Sequence, residues 1–313
     1  VMKLPLISVV IPVYNTGEKV IKLLDQLVKD HYERLEIICV DDGSNDDSFL
    51  LLKEFDRQYK LTEKQKELIL IRQENAGPAA ARNTAMKKMS GELVAFIDSD
   101  DAVSPRYLTE MSKLFSQERV ALATSGFLYK RIHQSTQKEM FTKPLPERGE
   151  NEDFKAYILK NLATDGRLYA AVNKVFRIDI IRKYNIDFPT GWNFAEDTNF
   201  VLRYLESSLK EGFDRLKFLP KPYYIYHYGT ETSTVAASSL PWQSWQKSFD
   251  YLKKWVGKNP SKEQKYWLLR VFLRWKISHA LAVARSNQKI TGKWKYLNPL
   301  LLPFASIAAK IRK

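Results

Sequence analysis

The sequence predicts an α/β fold, a mostly parallel sheet flanked by helices, and three observations carry that reading. Short apolar runs rich in β-branched residues alternate with amphipathic or Ala-rich stretches along the first 124 residues, the pattern of parallel strands joined by crossover helices. Several of these runs end abruptly in polar clusters: Tyr14-Asn15, Asp41-Asp42-Gly43-Ser44 and Asp98-Ser99-Asp100-Asp101. Ligands bind such sheets beyond the carboxyl ends of the strands. Finally, the chain has 313 residues, 44% of them hydrophobic and 27% charged, enough for a core and incompatible with chain-wide disorder.

Ile7–Ile11 is an unbroken run of the kind covered on both faces. Thr16 can cap the helix that follows, in which Val20, Ile21, Leu24, Leu27 and Val28 recur on one face. Ile37–Val40 is a second buried strand, Ser48–Tyr59 a helix and Leu68–Ile71 a third strand. From Pro78 to about Met89 the chain is Ala-rich and helical, with proline in the tolerated first turn. Leu93–Ile97 is the fourth strand, a helix runs from about Pro105 to Ser116, and Val120–Thr124 is the fifth strand. Phe127–Glu152 is polar and holds Pro144, Pro146 and Gly149, so it reads as a loop. Thr198–Leu209 reads as a helix led by Glu196-Asp197, acids suited to a first turn.

Charge divides the chain. Lys and Arg number 50 against 36 Asp and Glu, a net +14. Leu240–Lys313 holds 16 basic and two acidic residues, together with six of the seven tryptophans, and the residues before it are neutral. A domain over 1–239 and a basic, Trp-rich helical tail over 240–313 follow. In Gln264–Ser286 the charges Arg270, Arg274 and Lys276 are too frequent for a membrane span. Aromatic and aliphatic residues beside a basic face suit a helix lying in a lipid interface. Leu300–Ala309, closed by Lys310, Arg312 and Lys313, repeats the theme. Packing on the first domain or on a second copy is the competing reading. Nucleic acid fits less well, because the apolar runs are long for a phosphate-facing groove. Cys39 is the single cysteine, which excludes an internal disulfide and suits a reducing compartment. No leader pattern is visible, since Leu6–Val13 is short and contains Pro12. No run of 18 uncharged apolar residues exists.

The crowded carboxylates of the strand ends would repel one another unless they hold a cation or accept from a hydroxyl-rich ligand. Caps and turns are the alternative for Ser44, Asp46 and Asp47. Neither Gly-x-Gly-x-x-Gly nor Gly-x-x-x-x-Gly-Lys follows the first strand, so dinucleotide and P-loop chemistry fail. The phosphates of any nucleotide would need another partner, and a divalent metal at Asp98–Asp101 would serve.

The motifs, in order, are Ser8-Val9-Val10-Ile11-Pro12-Val13-Tyr14-Asn15, Val40-Asp41-Asp42-Gly43-Ser44, Asn75-Ala76-Gly77-Pro78-Ala79-Ala80-Ala81-Arg82-Asn83, Phe96-Ile97-Asp98-Ser99-Asp100-Asp101, Asn173-Lys174-Val175-Phe176 and Glu196-Asp197. In this order the chain resembles a family 2 glycosyltransferase of the GT-A fold over about residues 5–235. The resemblance implies transfer of a sugar from a nucleotide donor, with inversion, in bacterial surface-polysaccharide synthesis. It implies a donor-binding half over 1–101 and an acceptor half over 102–239. Pro12, Tyr14, Asp42, Arg82, Asp98 and Ser99 are then the donor-side residues: Tyr14 stacks on the base, Asp42 accepts from a ring N–H as uracil offers, and Asp98 bonds the ribose. Arg82 faces the diphosphate or base, or else forms a structural ion pair. Asp100 holds Mn²⁺ or Mg²⁺ on the diphosphate. Asp197 takes the acceptor's proton and Glu196 supports it. Trp192 and Lys174 fall on the acceptor side, as does the Phe127–Glu152 loop.

One departure from the family pattern is His227, where Tyr224-Ile225-Tyr226-His227 replaces a run that usually ends in Arg. It could reach the donor phosphates or complete the metal site. Thr230–Thr234 would close over the donor. The expected partners are a UDP-sugar, a saccharide or lipid-linked acceptor and an anionic membrane surface, with no nucleic acid. The expected location is cytoplasmic, peripheral at the inner face of the membrane. The competing function is a catalytically degenerate GT-A scaffold, which intact Asp98, Asp100 and Asp197 disfavour. A nucleotidyltransferase would need a Gly- and Lys/Arg-rich loop where Pro12-Val13-Tyr14-Asn15 stands.

Overall fold

A computed structural model describes residues 4–59, 66–131, 148–149, 151–164, 168–192, 195–228 and 242–286. The chain divides into two units. The first takes residues 1–149, 170–192 and 196–231, and the second takes 150–169, 193–195 and 232–313.

The first unit is built on one eight-stranded sheet. Its strands are β1 (Ile7–Val13), β2 (Leu35–Asp41), β3 (Lys66–Arg72), β4 (Leu93–Phe96), β5 (Ala102–Val103), β6 (Val120–Arg131), β7 (Lys174–Arg177) and β8 (Arg215–Tyr228). Their order is β3-β2-β1-β4-β7-β6-β8-β5. β1, β2, β3 and β4 run parallel, whereas β7 is antiparallel to both β4 and β6. All seven residues of β1 and of β2 are buried, as strands covered on both faces are, and the polar Ser8 and Glu36 among them are hydrogen-bonded to each other. Helix α1 (Glu18–Lys29) buries Val20, Leu23, Leu24 and Leu27. The other helices of this unit are α2 (Ser48–Tyr59), α3 (Pro78–Met86), α4 (Tyr107–Lys113), α6 (Ile178–Lys183) and α7 (Glu196–Lys210). Because β1 has β2 on one side and β4 on the other, the strand order turns at β1. The carboxyl ends of β1, β2 and β4 open on one rim there.

Several expectations shift. Thr16 does not cap α1: Gly17 stands at the cap with φ 51°, and the amides of Thr16 and Gly17 donate to Ser48 Oγ. α3 ends three residues earlier than expected, and α4 is shorter than Pro105–Ser116, with Leu114–Ser116 forming a 3₁₀ turn. The fifth expected strand continues to Arg131, through what read as the start of a loop. Its pairing with β8 is irregular on both sides of Gly126, which hides the alternation. The remainder of the expected loop, 132–147, lies outside the described residues. β8 carries Pro220 and Pro222, which argue against a strand, yet the irregular register accommodates them by pairing Leu219 with Ser125 and Pro222 with Gly126.

In the second unit, α5 (Phe154–Thr164), α8 (Trp242–Val256) and α9 (Lys262–Ser286) pack together. Trp245 and Trp275 lie 4.6 Å apart between ring centres, and Tyr169 stands edge-on to both. Arg274 donates to Ala163 O at 3.2 Å, and Gln264 Nε2 to Asp153 Oδ1 at 2.8 Å. The composition shift draws a single boundary at 239. The contacts instead bring α5, from mid-chain, into the same unit as the tail helices. α5 is buried at Phe154, Ala156, Tyr157, Ile158, Leu159, Leu162 and Ala163 and needs cover on more than one side. Trp245, Trp255 and Trp275 are buried at 3%, 6% and 1% exposure, so half of the tail's tryptophans are core residues and not lipid contacts. Tyr266 and Leu269 of α9 are exposed. Trp294 and Leu300–Ala309 lie outside the described residues. Among the described residues, no helix is long and apolar enough to cross a membrane.

Candidate active site

The site is assembled from the rim of the first unit. Beyond β1, Tyr14 is 46% exposed, which places its ring where a ligand can lie on it and removes it from the core; Pro12 is buried within the strand. Asn15 adopts φ 51°, its amide donates to Ser44 Oγ, and its Oδ1 accepts from the Asn45 amide. Two strand ends are thereby tied together.

Asp42 follows β2 and is buried. Its Oδ1 accepts from Gln73 Nε2 at 2.7 Å and from the Ala76 amide at 2.9 Å, and its Oδ2 accepts from the Gly77 amide at 2.8 Å. The carboxylate therefore holds the turn that launches α3 and is largely committed to that turn. Gly43 is forced to be glycine: its φ is +73°, and a Cβ there would stand 3.0 Å from the Asn75 nitrogen.

Asp98, Ser99, Asp100 and Asp101 follow β4. Ser99 is buried. The Asp98 amide donates to Tyr224 Oη at 3.2 Å, and that hydroxyl donates to Asp101 Oδ2 at 2.6 Å. The His227 amide donates to Asp101 Oδ1 at 2.9 Å. Asp101 thus anchors the turn, and Asp98 and Asp100 remain partly exposed. Burial, then the charge of Asp98, raises the Asp100 carboxyl above its ordinary range, while Lys19 and His227 pull it back. Asp101 is raised for the same first reason and by both neighbouring acids.

His227 Nδ1 lies 2.9 Å from the Asp100 carbonyl oxygen. A carbonyl only accepts, so Nδ1 carries the proton and Nε2 is left as an acceptor or ligand. Among the described residues, no three His, Cys, Asp or Glu side chains converge on one point as a closed metal site. Asp100 and Nε2 of His227 could supply one or two oxygen or nitrogen ligands to a divalent ion, which would need its remaining ligands from outside the protein.

Arg82 projects from α3. It is 4% exposed, with NH2 2.6 Å from Asp98 Oδ1 and NH1 3.1 Å from Asp197 Oδ1. Burial works against its charge, but Asp197 and Asp98 outweigh burial and hold it protonated. Asp197 lies in the first turn of α7; its Oδ2 accepts from the Ala171 amide at 2.9 Å. Burial raises its pKa, Arg82 lowers it and Asp98 raises it. Burial first, then the charge of Asp197, pushes Glu196 up to about 7. Ala195, just before the pair, has φ 68°, a conformation costing a non-glycine residue on the order of 1 kcal/mol or more.

Lys174, expected on the acceptor side, is wholly buried, and its Nζ donates to Asn173 Oδ1 at 2.8 Å. It cannot meet an acceptor there, and its charge acts within the protein by lowering the pKa of Asp197. Trp192 is half-buried, next to residues 193–194, which are not described. Thr230–Thr234 also falls outside the described residues. Sequence reading missed Tyr224, although the two-residue strand period puts it on one face with Tyr226. It also missed the use of Asn83, which exchanges two 2.8 Å hydrogen bonds with the Phe188 backbone. Phe188 stacks on Phe200 of α7 at 4.1 Å, so α3 and α7 are fixed together around Arg82.

Solved structures share this architecture. The Staphylococcus aureus TarS 1–349 complex with UDP-GlcNAc has TM-score 0.66 at 21% identity, over 87% of this chain and 73% of that one. The mannosyltransferase PcManGT from Pyrobaculum calidifontis, in complex with GDP-Man and Mn²⁺, has TM-score 0.60 at 17% identity, over 100% and 82%. The fold is therefore GT-A. The poly(ribitol-phosphate) beta-glucosyltransferase of Bacillus spizizenii is 33% identical over 199 residues, which are 63% of this chain and 29% of that protein. Glycosyltransferase GlyA of Streptococcus pneumoniae is 37% identical over 121 residues, 39% and 16%. The chain thus spans less than a third of either relative. The glycosyl transferase family 2 model matches residues 8–184, more than half of the chain, and the chain belongs to that family.

Proposed function

We propose that this chain is an inverting glycosyltransferase that moves a sugar from a nucleotide-sugar, a UDP-sugar in the first instance, to a hydroxyl of a saccharide or lipid-linked acceptor in building a bacterial surface polysaccharide. The observation that carries the reading is the meeting of the donor-side acid Asp98 and the acid Asp197 on one buried guanidinium. The TarS complex with UDP-GlcNAc supports a UDP donor, and the name of the Bacillus spizizenii relative supports a cell-surface polymer as acceptor.

In this reading Tyr14 stacks on the base, a contact worth about 1–3 kcal/mol, and Asp98 bonds the ribose. Asp100, with Nε2 of His227, would hold Mn²⁺ or Mg²⁺, which when bound would supply positive charge for the departing nucleotide. Asp197 accepts the acceptor hydroxyl's proton during in-line attack, with the second lone pairs of its oxygens free for that contact. Trp192 stacks on the acceptor sugar. The basic excess of 240–313 holds the protein at an anionic inner membrane face, with exposed Tyr266 and Leu269 in place of the tryptophans that the helical core uses.

A panel of UDP- and GDP-sugars, with Mn²⁺ or with chelator, tests this by nucleotide release and thermal shift. Turnover of one donor with metal, lost in Asp100→Ala without loss of the fold, is expected. Donor binding without any turnover would instead favour the scaffold reading, and full activity of Asp100→Ala in chelator would remove the metal.

A further inference from the structure

Arg82 joins two segments that lie far apart in the chain. α3 carries it with Ala79, Ala81 and Ala85 buried and packs on β1 and β2. Its Cζ lies 5.3 Å from the centre of the Phe188 ring. Its Nε has no partner among the described residues. The guanidinium is therefore fixed by two carboxylates and one ring. We infer that Arg82 is a positioning residue that ties the donor-side carboxylate Asp98 to Asp197, so that both halves of the reaction share one cation; this rests on the reading of Asp197 as proton acceptor.

The physical case is a matter of charge and aim. Asp98, Asp197 and Glu196 are three acids within one another's fields. Burial strengthens their repulsion, and without a cation one of them takes a proton or turns away. The charged groups facing Asp197 are Arg82 from α3, Asp98 beyond β4, Lys174 from β7 and Glu196 from its own helix. Among them Arg82 makes the direct bond. With Oδ1 on Arg82 and Oδ2 on the Ala171 amide, both carboxylate oxygens are pinned and the group cannot rotate. Asp98 and Asp197 therefore keep their positions through one shared guanidinium.

The test uses the full chain, UDP with Mn²⁺ as binding probe, and the UDP-sugar that the panel identifies for turnover. Arg82→Gln is expected to lower kcat roughly 10²-fold, the cost of a misplaced catalytic group, with UDP affinity changed less than about threefold. The acid limb of its pH–rate profile moves to higher pH, because the charge that lowers the Asp197 pKa is gone. Arg82→Lys recovers part of kcat, and it serves as the working variant if Arg82→Gln fails to fold. Arg82→Gln/Asp197→Asn should be no slower than Asp197→Asn alone. Losses that multiply in the double variant, an unmoved acid limb, or UDP affinity that falls in step with kcat would overturn the inference. Near-normal kcat in Asp197→Asn alone overturns the proton-acceptor reading itself.

Discussion

Asp197 and Glu196 are adjacent in sequence and unlike in surroundings. Asp197 has partners on both oxygens, whereas Glu196 stands beside it with a pKa of about 7. Asp197→Asn keeps the shape and both contacts but removes the proton acceptor. We expect kcat to fall roughly 10²–10⁴-fold, the range for general base catalysis, with donor affinity little changed; a steady-state split of kcat and KM reads this directly. Glu196 yields a prediction about stability. Its ordinary pKa is 4.5 and the folded protein raises it to about 7, so the folded state binds the proton more tightly than the unfolded chain does. Its contribution is therefore lost as pH rises from about 4.5 through about 7. Glu196→Gln should raise the melting temperature at pH 8 and leave it nearly unchanged at pH 4, as thermal melts across that range would show. The two acids could be singled out from sequence as a motif. Their difference could not, because it depends on Arg82 and Ala171 arriving from elsewhere in the chain.

β8 matters to the site through Tyr224. One hydroxyl receives the Asp98 amide and donates to Asp101, so this strand sets the shape of the acidic turn after β4. Tyr224→Phe keeps the buried ring but leaves that amide without its acceptor. A loss of about 1–2 kcal/mol is expected, read by urea unfolding, together with several-fold weaker binding of UDP with Mn²⁺. Unchanged UDP binding would show that the turn keeps its shape unaided. β1, β2 and β4 could be read from sequence because they are mostly apolar, buried runs that end abruptly in polar clusters. β8 could not, since Pro220 and Pro222 interrupt it and its pairing with β6 is irregular. β7 was visible only as the motif Asn173–Phe176, too short for a period to show.

For the molecule as a whole, composition gave a basic tail, and contacts gave that tail a structural partner in α5. A truncated chain ending at Ser239 lacks α8 and α9, and with α9 it loses the helix packed on the largely buried α5. It should bind a dye for exposed apolar surface and aggregate, whereas the full chain stays dispersed. The full chain should co-sediment with anionic vesicles more than with neutral ones, and high salt should release most of it, because three tryptophans are already buried. Vesicle binding that resists salt would mean that residues beyond α9 insert.

The place of α5 in the chain also has a consequence for biosynthesis. About 120 residues separate the end of α5 from the end of α9. At about 5–20 residues per second, the ribosome needs roughly 6–25 s to deliver the cover after its target has emerged. During that interval α5 offers an apolar surface to whatever is near, which marks it as a segment for a nascent-chain chaperone to hold. Rare codons placed between α5 and α8 would lengthen the exposure and lower the yield of folded protein without altering a single amino acid.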